Sequence, residues 1–81
     1  MEVTYGRLHR ALQSLEFSRR LLKSEPMTYL FEHESGATMM LPLLPEDQEV
    51  YPHHLIATRA VLEQWGIANW MDFAVALYKA D

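Results

Sequence analysis

Apolar residues recur every three or four positions over Tyr5, Leu8, Leu12 and Leu15, and this spacing predicts a helix across Thr4–Leu15 with Thr4 as its cap. At ~100° per residue, Arg7, Arg10 and Ser14 fall opposite that stripe, towards solvent. The pattern then changes. Phe17–Leu22 alternates imperfectly, because Arg19 shares a face with Phe17 and Leu21, as suits a strand at a sheet edge. Thr28–Leu44 reads as two strands around the turn Glu34-Ser35-Gly36, with Tyr29, Phe31 and His33 on one face and Pro42 stopping the second run.

Helical spacing returns after Pro52, which suits a first helical turn, where no backbone N–H is needed. Leu55, Thr58, Val61, Leu62 and Trp65 share a broad face, and Gly66 stands where a positive φ ends the helix. Asn69 caps a last short helix with the stripe Trp70, Phe73, Ala74 and Leu77. The elements predict a single α+β domain, α-β-β-β-α with a third helix: a three-stranded antiparallel sheet covered on one face. Residues 4–67 form its core and 68–81 append a helix.

Composition narrows the chemistry. With no Cys the fold has no disulfide to hold it, so packing of its 49% hydrophobic residues must suffice, and a reducing, cytoplasmic setting is expected. No apolar run approaches the ~20 residues of a membrane span. The net charge of −4 hides an asymmetry. Arg7, Arg10, Arg19, Arg20 and Lys23 outweigh Glu2 and Glu16 in residues 1–23, whereas residues 24–81 are strongly acidic. Those five cations are the candidate RNA-binding surface, through phosphates and 2′-OH groups, if they lie on one continuous face.

A helix ending Leu15-Glu16-Phe17, the hairpin Phe31-Glu32-His33-Glu34-Ser35-Gly36, a strand ending at Pro42 and a helix closing on Trp65-Gly66-Ile67 resemble the small HicA (YcfA-like) toxin family, over roughly residues 4–67. The resemblance implies a fold of the double-stranded-RNA-binding-domain type, messenger-RNA cleavage and an antitoxin partner. That family's first helix ends in Leu-Gly-Phe, and its catalytic His sits in a Gly-Ser-His element opening the second strand. Here Ser24-Glu25-Pro26-Met27-Thr28 occupies that place, so the catalytic residue does not carry over. His33 is the one alternative catalyst, and a turn residue bonding in solvent is the competing reading.

His53 and His54 are adjacent and hence poorly placed to chelate one metal; His54 and His9 read as packing residues. Glu46, Asp47 and Glu49 read as a solvated loop, and neither metal nor cofactor is expected. The expectation is therefore a HicA-like domain without nuclease activity that binds RNA or a protein. An active RNase using His33 and a homodimeric structural subunit are the alternatives.

Overall fold

The computed structural model describes residues 2–80. Its elements follow the expected order: α1 (Tyr5–Ser14), β1 (Ser18–Leu22), β2 (Thr28–Glu32), β3 (Thr38–Pro42), α2 (Pro52–Gln64) and α3 (Trp70–Lys79). The sheet is antiparallel, in the order β1-β2-β3. Register pairs Arg19 with Phe31 and Phe31 with Met39, and likewise Leu21 with Tyr29 and Tyr29 with Leu41. Side chains alternate across a strand. Arg19, Leu21, Tyr29, Phe31, Met39 and Leu41 therefore face the helices, and Arg20, Leu22, Leu30 and Met40 face away.

Local signals end the elements as the residue types require. Thr4 accepts the Arg7 N–H at 3.3 Å, and Asn69 accepts the Asp72 N–H at 2.8 Å. Gly66 has φ +66°, and the Ile67 N–H reaches back to the Leu62 carbonyl at 2.9 Å, which satisfies the last turn of α2. The end of α1 is built the same way, with Phe17 N–H donating to the Leu12 carbonyl. There the residue in the left-handed region is Glu16, at φ +74°. The hairpin turns at Gly36, φ +101°, and the His33 N–H donates to the Ala37 carbonyl.

The core joins Tyr5, Leu8 and Leu12 of α1, Phe31 and Leu41 of the sheet, Leu62 of α2, and Phe73 and Leu77 of α3. Three expectations change here. The last helix is part of the core, packed on α1, not an addition to it. That packing turns Arg7 away from solvent; it is half-buried against the end of α3. Trp65 is 48% exposed and Trp70 50%, because Trp65 lies over the hairpin, 3.5 Å from where a Gly36 Cβ would stand, and Trp70 stacks under Arg59. Gly6 has a positive role: a Cβ there would meet Glu46 Cβ at 3.0 Å, and the bare backbone lets its N–H donate to the Glu46 carbonyl. The 45–50 connection is held against α1 by that approach.

The ladder also defines the edges. His33 with Ala37, and Leu43 with Met27, are bonded pairs that bracket β2 and β3. Bonded and non-bonded pairs alternate, so Tyr29 and Phe31 bond to β3 while Thr28, Leu30 and Glu32 bond to β1. The outward backbone groups of β1 are then those of Arg19 and Leu21, and those of β3 belong to Thr38, Met40 and Pro42. Among the described residues no helix is long and apolar enough to cross a membrane.

Candidate functional site

The five cations do not form one surface. Arg7 donates from Nη1 to the carbonyls of Leu77, at 2.8 Å, and Tyr78, at 3.3 Å, where the unpaired carbonyls and negative dipole end of α3 attract a cation. Arg10 lies 3.8 Å from Glu46. Arg19 is on the helix side of β1, donating to His9 Nδ1 at 3.1 Å with its guanidinium 4.6 Å above the Tyr29 ring. Arg20 is on the opposite face, 3.1 Å from Glu32. Lys23 is exposed beyond the end of β1. The continuous face free of acidic neighbours is thus corrected to a dispersed set. Period-two alternation separates Arg19 from Arg20, and the meeting of α1 with α3 takes up Arg7.

The histidines separate as clearly. His33 Nδ1 accepts the Ser35 backbone N–H at 3.0 Å and lies 2.9 Å from the Ser35 hydroxyl, so this nitrogen holds the turn. His9 is 95% buried by area, edge-on to Tyr29 and Phe31 at about 5 Å between centroids. Burial, then Arg19 and Arg10, lower its pKa from 6.5 to about 4, so it is neutral at physiological pH. Its Nδ1 accepts from Arg19, which puts the ring proton on Nε2, a buried atom with no protein partner. Among the described residues no three His, Asp or Glu side chains gather to hold a metal ion.

His53 and His54 belong to an aromatic cluster at the start of α2. The Tyr5 hydroxyl is hydrogen-bonded to His54 Nδ1 at 2.7 Å and accepts the Tyr51 N–H at 3.3 Å. Burial, then the neighbouring His53, lowers the pKa of the His54 ring. His53 stacks on Tyr51, with planes 8° apart. Tyr51, His53 and His54 of this cluster also line an open groove of about 610 Å³ together with Met27, Met40, Pro42 and Leu43. Met40 is 63% exposed, and Met27, Leu43 and Tyr51 are each more than 40% exposed. The sequence reading named none of Tyr5, Met27, Leu43 or Tyr51 as site residues. The available signal was the aromatic pair Tyr51 and His53 flanking a helix-opening Pro52, next to a strand apolar on both faces.

Comparison with protein-family models, curated proteins and solved structures returned no match for this chain.

Proposed function

We propose that this domain is a non-catalytic protein-binding module on a HicA-like plan, and that an apolar segment of an antitoxin-like partner lies in the groove between Met27, Met40 and Tyr51. The observation that carries the reading is the pairing of an uncovered apolar groove with a dispersed set of cations. Polyanion binding gains from many phosphate contacts on one face. Protein recognition gains from Met and Tyr side chains, which adapt and bury large areas. Glu16 in the left-handed conformation, at the place where the family has Gly, also supports the HicA-like plan. His9 is buried and held neutral beneath Arg19, out of reach of a substrate, which leaves His33 as the one ring for the nuclease test below to examine.

Panning a random peptide library on the purified protein tests this. Apolar peptides should be enriched, and Met40→Glu should weaken the selected peptides at least ~10-fold, because it places a charge in their pocket. Gel shifts with single- and double-stranded RNA should show no complex at moderate salt, and messenger RNA should stay intact. Peptides indifferent to Met40→Glu would overturn the proposal. So would RNA binding whose salt slope falls by about one unit per cation removed, or cleavage lost on His33→Ala.

A further inference from the structure

The helix α3, WMDFAVALYK, is apolar almost all round, yet only one side of it is covered. Phe73 and Leu77 are buried against α1, while Met71 is 67%, Val75 48% and Tyr78 74% exposed. These three residues are spaced by four and three, so they form one stripe along the helix. A helix that is apolar on every side is normally covered on every side.

The charged residues on this face indicate the occupant. At ~100° per residue, Met71 and Tyr78 lie to one side of Val75, while Asp72 and Lys79 lie to the other. Both pairs are seven residues apart and both are centred within a residue of Val75. A two-fold axis beside Val75, with a second α3 running antiparallel, therefore has a simple outcome. Val75 meets its own copy, and Met71 meets Tyr78 of the second copy in a sulfur–aromatic contact. Asp72 meets Lys79 of the second copy, twice. Ala74, one turn from Met71 and small, leaves room for the incoming Tyr78 ring.

A parallel arrangement would instead set Asp72 on Asp72 and Lys79 on Lys79. An unrelated partner helix has no reason to match this symmetry. The stripe itself offers on the order of 400 Å² per copy at ~200 Å² for a large side chain, about half of the ~800 Å² in a standard interface, so the contact is a small one.

We infer that α3 is a self-association surface and that the chain forms a two-fold dimer through antiparallel α3 helices centred on Val75. The surface is distinct from the Met27–Met40–Tyr51 groove, so both can be occupied at once.

Sedimentation equilibrium of the full chain over a micromolar concentration series tests the inference. The expected species has twice the 9.5 kDa chain mass. Val75→Glu sets two carboxylates against each other at the axis and should raise the dimer dissociation constant by at least ~10-fold, with the helical circular dichroism unchanged. Asp72→Lys and Lys79→Asp each place like charges across the axis and should each be monomeric alone. Mixed together they should form a heterodimer, because every lysine then meets an aspartate. A monomeric wild-type chain at 100 µM would overturn the inference. So would a dimer unaffected by Val75→Glu, or a mixture of the two charge variants that stays monomeric. Met40→Glu should leave the mass unchanged, which keeps this result separate from peptide binding in the groove.

Discussion

Lowering the pH should destabilise this protein through His9 before its carboxylates are fully protonated. The ring is 95% buried between Tyr29 and Phe31 and sits under the Arg19 guanidinium, with Arg10 also close enough to oppose a positive charge. Its pKa is about 4 in the fold, against 6.5 unperturbed. The folded pKa is the lower one, so between these values the unfolded chain binds the extra proton. Stability from this group is complete above pH 6.5, falls as pH drops towards 4, and is constant below that. A difference of this size is worth about 3 kcal/mol in full, and about 2 kcal/mol of it should be gone by pH 5.

Domains of this size hold on the order of 5 kcal/mol, so the loss is a large fraction of the total. His54, whose pKa is also lowered, acts in the same direction. Urea unfolding followed by circular dichroism, repeated from pH 7.5 to 5, measures the slope. His9→Gln keeps an acceptor for Arg19 but has no titration, so its stability should fall by about 2 kcal/mol less than that of wild type over this range. Equal slopes for the two proteins, or a His9 ring that titrates near 6.5 by NMR in the folded state, would refute the argument.

Three further substitutions test the packing and the backbone. Leu12 and Leu62 are fully buried, so Leu12→Ala and Leu62→Ala should each cost ~2–5 kcal/mol in urea unfolding; a loss under ~1 kcal/mol would mean that the core is not packed as described. Glu16→Gly should instead stabilise the protein by ~0.5–1 kcal/mol. It relieves the left-handed strain of a side-chain-bearing residue, ~1–2 kcal/mol, at the smaller entropic cost of Gly, and a lower thermal midpoint would contradict it.

What could be read from the sequence was mostly local. Thr4, Asn69, Gly36 and Gly66 act on residues within a turn of themselves, and each does what its type and position imply. The edge position of β1 also followed from its pattern. Arg19 is instructive, because alternation already set it beside Phe17 and Leu21, on the covered side. Arg19 and Arg20 therefore belong to opposite faces, not to one patch. The remaining differences come from pairs distant in the chain. Arg7 with Leu77 and Tyr5 with His54 depend on how α1 meets α3 and α2. No periodicity within one element contains that information. The groove beside Met40 is invisible to the sequence pattern for the same reason, since its walls come from three separate stretches of chain.

The two sheet edges bear on what kind of assembly this chain can enter. Strand addition is open-ended, for each new strand offers a fresh edge and growth ends in a fibre, whereas a two-fold contact uses itself up and stops. At β3 the outward row includes Pro42, which has no N–H to offer a newcomer. At β1 the row includes Arg19, whose guanidinium is tied to His9 and lies over the Tyr29 ring, so a fourth strand would have to pack beside a charge. Polymerisation is discouraged on both sides. A chain of 81 residues can therefore carry a bare apolar helix on its surface and still assemble into a closed particle of fixed size.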